Sequence, residues 1–256
     1  MTARSQGLRQ VAGFGLFSLV MVGILAGLGV WQLQRRVEKH ALIRMLDERL
    51  AAAPVALPGE AQWPGLSQAR DEFRRVTFRA TFGGKPDARV FSSGSGVRAD
   101  ITTAGVWVFE PAQVAGGGEV VVNRGFVPDG QQGRISPPPP GEVRLTGYIR
   151  YPEHAGMLTP QADQAKRLWF LRDPKGMANA LGWGTVAPFY LDLEAPAPAN
   201  GLPKPGPLVV HLKDDHMQYA ITWFGLAAAV AIAFAVWLSR ALKEQAGPSE
   251  GAPESE

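Results

Sequence analysis

The residue best suited to chemistry is His216, which stands at the start of an apolar run near the end of the chain. Tyr219 and Trp223 follow it by three and seven residues, so a helix would place the three side chains on one face. An imidazole at the boundary between water and lipid, flanked by aromatic rings, suits a flat, apolar ligand that carries a metal. The same pattern is typical of the tyrosine and tryptophan belt of ordinary membrane helices. The three residues alone therefore leave a ligand site and an aromatic belt as alternatives.

A second candidate lies in residues 120–128, which read VVVNRGFVP. The three valines predict a buried strand, and Asn123, Arg124 and Gly125 then present a guanidinium at a bend. The planar fork of Arg124 suits a carboxylate, either on a partner protein or on a propionate group. Alternatively, Asn123 and Gly125 shape a β-bulge while Arg124 caps the sheet, because glycine within a strand often marks a bulge. Both a partner-binding and a structural role remain open for this segment.

Composition excludes several kinds of active site. The chain has no cysteine, so disulfides, thiolate metal sites and thiol chemistry are ruled out. It contains neither a phosphate-binding glycine loop nor a GxSxG motif. His154, Asp163 and a serine have no spacing that predicts a catalytic triad. The net charge of +3 is not gathered into a basic patch. The sequence thus predicts a protein that is not an enzyme, binds no nucleic acid and has neither a thiolate nor a carboxylate metal site.

Two apolar segments flank the polar middle of the chain. Residues 11–33 and 219–238 contain no charged residue, and about 20 residues suffice for a helix to cross a hydrocarbon core of about 30 Å. The first segment is longer than the apolar part of a signal peptide and lacks a small-residue cleavage site at its exit. We therefore expect two transmembrane helices in the lipid bilayer, with residues 1–10 and 239–256 as short tails and the second tail disordered.

Small residues in both segments predict that the two helices pack as a hairpin. They recur every four residues, which permits close approach of two helices in a membrane. These residues are Gly23, Gly27, Gly225, Ala229 and Ala233. Because Gly225 lies half a turn round the helix from His216, this packing would leave His216, Tyr219 and Trp223 facing outward.

The middle of the chain, residues 34–218, begins with helical spacing that Pro54 should stop, and from residue 73 it has the period-two pattern of strands. Predicted strands cover residues 73–82, 89–92, 105–110, 119–126, 142–150, 168–172 and 189–193. Many short strands separated by glycine and proline turns indicate a mainly antiparallel β domain, either a small barrel or a curled sheet. A short helix is predicted at residues 174–181.

Charge alone gives conflicting indications about orientation. Arg240 and Lys243 favour a cytoplasmic C-terminus, whereas Arg35, Arg36 and Lys39 after the first segment favour the opposite orientation. Long domains are translocated largely regardless of charge, so we expect an extracytoplasmic β domain with both termini in the cytoplasm. The short stretch before the first segment leaves no room for an organelle transit peptide, which favours a bacterial plasma membrane.

Three segments together resemble the surfeit locus protein one family. They are residues 29–36 (GVWQLQRR), residues 122–128 (VNRGFVP) and residues 215–226 (DHMQYAITWFGL). The family pattern has tryptophan at Phe126 and asparagine at Asp215, so this chain departs from it at both positions. A carboxylate at Asp215 would tune or orient the neighbouring imidazole, or would simply meet water.

The resemblance implies a cytochrome c oxidase assembly factor that binds haem a and helps it enter oxidase subunit I. It also implies that His216 is the haem iron ligand. On this hypothesis Tyr219 and Trp223 would flank the macrocycle, with the aromatic-belt role still open for both, and haem a synthase is a further candidate partner. The alternative is a scaffold without any haem role. Such a scaffold would hold early oxidase subunits together through Arg124 and the β domain.

Overall fold

A computed structural model describes residues 2–157, 159–209 and 214–245, which belong to two compact units. One unit contains the described residues up to Leu42 and from Asp214 onward, and the other contains those from Ile43 to Val209. His211 and residues 246–256 of the predicted disordered tail lie outside the described residues, whereas residues 239–245 are helical.

The first unit contains α4 (His216–Gln245) and most of α1 (Thr2–Ala51), whose last residues belong to the second unit. Both are long and apolar enough to cross a membrane, over Val11–Ala51 and His216–Lys243. The predicted membrane protein with two helices flanking a β domain is thereby confirmed. At a rise of about 1.5 Å per residue, the 50 residues of α1 extend well beyond a hydrocarbon core of about 30 Å. Helix α1 ends three residues before Pro54, as the sequence predicted.

The faces that join α1 and α4 differ from the predicted ones. Gly23, Gly27 and Gly225 are exposed, and in the described part of the chain no atom lies within 4 Å of a Cβ built at any of them. Ala229 and Ala233 are exposed as well. The prediction that these small residues form the contact is therefore wrong.

The observed contact follows the alternating three- and four-residue spacing of a coiled coil. Buried and half-buried positions recur in this way at Gly15, Ser18, Val22, Leu25, Gly29 and Gln32 on α1, and at His216, Ala220, Trp223, Ala227, Val230 and Phe234 on α4. Small residues of α1 accommodate aromatic rings of α4: a Cβ at Gly29 would lie 2.7 Å from the ring of Phe224, and one at Gly15 would lie 3.3 Å from that of Phe234. His216 consequently lies on the packing face, and the predicted outward orientation is wrong for His216 and Trp223, whereas Tyr219 is exposed as predicted.

The second unit is a β domain built on one sheet. Its strands are β1 (Val55–Ala56), β2 (Arg75–Phe82), β3 (Ala88–Ser92), β4 (Gly105–Val114), β5 (Glu119–Pro128), β6 (Glu142–Arg150), β7 (Leu168–Trp169) and β8 (Tyr190–Ala195). It also contains the helices α2 (Gln68–Asp71) and α3 (Pro174–Leu181), and short 3-10 helices at Glu60–Gly65 and Gln132–Arg134. Helix α3 has the predicted bounds; Asp173 caps its start and Gly182, with φ 66°, ends it.

The sheet closes on itself. Strands β2, β6, β8, β5 and β4 pair in that order, and β4 pairs again with β2 to complete a ring. Most of these pairings are antiparallel, whereas β5 and β8 are parallel. Strand β1 adds to β2 and strand β7 adds to β3, both in parallel. The predicted mainly antiparallel domain is confirmed, in the form of a small barrel with short extensions.

Candidate functional site

The candidate ligand His216 is the first residue of α4. The carboxylate of Asp214 accepts a hydrogen bond from the backbone N–H of His216 at 3.1 Å, and the carbonyl of Asp215 accepts one from the N–H of Tyr219 at 3.1 Å. The bond to Asp214 satisfies a backbone donor that a helix start otherwise leaves without a partner, and the bond to Asp215 is the first bond within the helix. The negative charge of Asp214 also interacts favourably with the positive end of the helix dipole. The backbone at His216 is thus fixed by its own neighbours.

The imidazole ring of His216 is held from the other helix. Its Nδ1 lies 2.8 Å from Oε1 of Gln32 on α1. An amide oxygen only accepts hydrogen bonds, so Nδ1 carries the proton and donates it. In the neutral ring the lone pair is then on Nε2, the nitrogen that can bind a metal. The side chain is half-buried, so the ring has limited room to turn.

A cluster of charged and polar side chains surrounds the carboxylate of Asp214. Its Oδ2 accepts a hydrogen bond from Nε2 of His40 at 2.6 Å, and Nε of Arg36 lies 3.7 Å away. Burial acts to raise the pKa of Asp214, but the hydrogen bonds from His40 and from the His216 backbone outweigh it and lower the pKa below its ordinary value. Asp214 is therefore ionised at neutral pH and joins α1 to the start of α4.

The three residues predicted to share one helix face do not share one environment. Trp223 is half-buried on the packing face, as His216 is, whereas Tyr219 is 54% exposed. At about 100° per residue, Trp223 lies only about 20° round the helix from His216, while Tyr219 lies about 60° away in the same direction. A ligand at His216 would thus meet Trp223 near the helix contact and Tyr219 on the outer surface.

Sequence reasoning missed Gln32, Arg36 and Asp214. Both Gln32 and Arg36 belong to the motif at residues 29–36, in which Arg36 was considered only for membrane orientation and Gln32 was assigned no role. Their spacing of three and seven from Gly29 would have placed them on the face that meets α4. The partner of Nδ1 is Gln32, and the expectation that Asp215 tunes or orients the ring stays a prediction.

The donor set fits a metal that is already held in a macrocycle. Among the described residues, no group of three or more His, Asp or Glu side chains could hold a bare metal ion. His216 offers one imidazole nitrogen with its lone pair available, whereas Nε2 of His40 donates to Asp214. A haem iron receives four bonds from its porphyrin and commonly takes a histidine as axial ligand, so a single imidazole suffices.

The second predicted site, on β5, is a β-bulge. Val108 pairs with Gly125 and Phe109 pairs with Asn123, so Arg124 is the extra residue. Gly125 has φ 133°, and a Cβ there would lie 2.3 Å from the carbonyl carbon of Lys204. Only glycine fits this backbone conformation and this close approach.

The side chains of this segment point into the β domain. Arg124 is 4% exposed and donates hydrogen bonds to Glu110 at 2.6 Å and to the carbonyl of Ser136 at 2.9 Å. Asn123 donates to Asp192 at 2.6 Å. Burial raises the pKa of Glu110, although Arg124 opposes this effect. The geometry is that of the structural alternative, because the guanidinium is already paired inside the domain.

Comparison with known proteins gives one consistent result. The model of the SURF1 family matches residues 19–228. Over 252 residues, the chain is 32% identical to the SURF1-like protein of Monosiga brevicollis, covering 93% of this chain and 92% of that protein. It is 30% identical to the Surfeit locus protein 1 of Rattus norvegicus over 90% of this chain and 76% of that protein. For the human Surfeit locus protein 1 the identity is also 30%, over 90% of this chain and 78% of that protein.

Proposed function

Because this chain belongs to the SURF1 family, we propose that it is a cytochrome c oxidase assembly factor that binds haem a and helps it enter oxidase subunit I. The observation that carries the proposal is the imidazole of His216. Its Nδ1 is engaged by Gln32 at 2.8 Å, so Nε2 is the nitrogen that would bind the iron. The role is that of a carrier and not of an enzyme.

The residues of this chain bind and orient the haem. His216 would hold the iron through Nε2, and Trp223 near the helix pair and Tyr219 on the outer surface would contact the macrocycle. When bound, haem a would supply an iron that can accept one imidazole in addition to the porphyrin nitrogens. One protein ligand at the edge of the bilayer gives moderate affinity, which suits a carrier that must release its cargo.

The proposed location is the bacterial plasma membrane, with both termini in the cytoplasm and the β domain outside it. Two observations support this location. The chain has two helices long and apolar enough to cross a membrane, and long domains are translocated largely regardless of their charge. In this orientation the start of α4 lies at the outer surface of the membrane. Subunit I is the proposed recipient of the haem, and haem a synthase is the proposed donor.

Purification from cells that make haem a, followed by a reduced-minus-oxidised spectrum, tests the proposal. The wild-type protein should carry a haem a spectrum, and His216→Ala should lose it while keeping the same circular dichroism spectrum. His154→Ala is the matched control, because His154 is an exposed histidine of the β domain and should not affect the pigment. A wild-type protein that co-purifies with subunit I but carries no pigment would instead identify a scaffold.

A further inference from the structure

Gln32 lies near a close contact between α1 and α4. It follows Gly29 by three residues on the packing face of α1. A Cβ at Gly29 would come within 2.7 Å of the Phe224 ring, so a side chain at this position would force that ring to move. The amide of Gln32 is presented to α4 one turn further along this packing face.

The contact with His216 has a chemical consequence beyond helix packing. A neutral imidazole has two tautomers, and a hydrogen bond at one nitrogen selects between them. With the Gln32 oxygen 2.8 Å from Nδ1, the proton is held on that nitrogen and Nε2 keeps its lone pair. The same bond fixes the direction in which Nε2 points, because the two nitrogens lie on different sides of one rigid ring.

We propose that Gln32 is a positioning residue, which holds His216 as the Nδ1–H tautomer and directs Nε2 toward the metal of the bound macrocycle. This inference rests on the proposed function of His216 as an iron ligand. Gln32 itself does not touch the iron. Partners of this kind on a metal-bound histidine fix the tautomer and raise the basicity of the ligand, and their loss typically costs about 10–100-fold in affinity.

A purely structural role for Gln32 makes different predictions. Polar side chains also join helices in membranes, and such a bond stabilises the pair whichever tautomer the histidine adopts. On that account, replacing Gln32 would change the stability of the hairpin but not the position of the proton on His216. The tautomer and the strength of the iron–imidazole bond therefore separate the two roles.

The test uses the full-length chain in detergent with haemin as the probe. Gln32→Leu removes the acceptor, Gln32→Glu strengthens it, and Gln34→Leu is the control because Gln34 is an exposed glutamine of the same helix. Nitrogen-15 NMR of the ligand-free protein reports the tautomer of His216. The His216 signals are assigned as those that disappear in the His216→Ala variant. Haemin titration and the iron–histidine stretching band of the reduced complex report the bond.

We expect Gln32→Leu to populate both tautomers and to bind haemin about 10–100-fold more weakly. Gln32→Glu should keep the proton on Nδ1 and raise the iron–histidine stretching frequency, while Gln34→Leu should match the wild type. Unchanged tautomer populations of His216 in Gln32→Leu would overturn the inference. If that variant does not fold, an unchanged iron–histidine stretching frequency in Gln32→Glu would overturn it instead. Haemin binding that is insensitive to His216→Ala would overturn the proposed function separately, since the NMR measurement needs no haem.

Discussion

Nδ1 of His216 and Oε1 of Gln32 lie 2.8 Å apart although 184 positions separate the two residues along the chain. The contact joins the motif at the exit of the first apolar segment to the motif that opens the second. Asp214 makes a second link between the same two regions through its hydrogen bond with His40. The two motifs thus form one structural site at the start of α4, and several of its properties can be measured.

The close approach at Gly29 should control the geometry of His216. Gly29→Leu would force the Phe224 ring away and separate the helices near Gln32, because even a Cβ would lie 2.7 Å from that ring. We expect this variant to shift the imidazole NMR signals of His216 and to weaken haemin binding about 10-fold or more. Gly27→Leu is the control, since a Cβ there meets no atom within 4 Å in the described part of the chain. Equal effects of the two variants would contradict the observed packing face.

The buried pair of Arg124 and Glu110 should matter for the stability of the β domain. Removing one partner of a buried ion pair leaves an uncompensated charge, so Arg124→Ala should cost about 3–5 kcal/mol of the free energy of unfolding. The pair of Arg79 and Glu142 is the control, because its side chains are 61% and 47% exposed. Arg79→Ala should cost no more than about 1 kcal/mol. Chemical denaturation of the full-length chain measures the free energy of unfolding of both variants. Comparable losses of stability in Arg124→Ala and Arg79→Ala would show that the ion pair of Arg124 is not buried as described.

Gly125 should tolerate no side chain. Gly125 has a φ of 133°, and a Cβ added there would lie 2.3 Å from the carbonyl carbon of Lys204. Any side chain at this position would therefore force the backbone to move. We expect Gly125→Ala to destabilise the β domain by about 1–3 kcal/mol. Gly83→Ala serves for comparison, because Gly83 follows β2 without a positive φ and a Cβ there meets nothing within 4 Å in the described residues. Thermal unfolding that is equally affected in both variants would argue against the bulge.

The stability of the β domain should fall in acid partly because of Asp100. The hydrogen bond from Arg98 is the main cause that lowers the pKa of Asp100 below its ordinary value, burial opposes it, and Lys204 adds to the lowering. A carboxyl group whose pKa is lower in the folded state contributes stability that is fully present above its unfolded pKa, about 3.9, and is lost as the pH falls through the folded value. Asp100→Asn should therefore flatten the decline of stability below about pH 4. Parallel declines in the variant and the wild type would contradict this assignment.

Local patterns in the sequence predicted much of the fold. Period-two spacing located the strands of the barrel, and Asp173 and Gly182 mark the ends of α3 because capping is a local interaction. The closing pair of β2 and β4 was not predicted, because register between distant strands depends on the whole sheet. The packing face of the helices was predicted wrongly because glycines spaced every four residues were given more weight than the coiled-coil spacing. Gln32 was missed for a related reason, since a contact across 184 positions has no local signature.

The central claim is that His216 holds the iron of haem a, and the haem a content per mole of purified protein tests it most directly. The full-length wild type and His154→Ala, isolated from cells that make haem a, should contain similar amounts of haem a. His216→Ala, folded to the same extent by circular dichroism, should contain almost none. Equal haem a content in the wild type and His216→Ala would contradict the account.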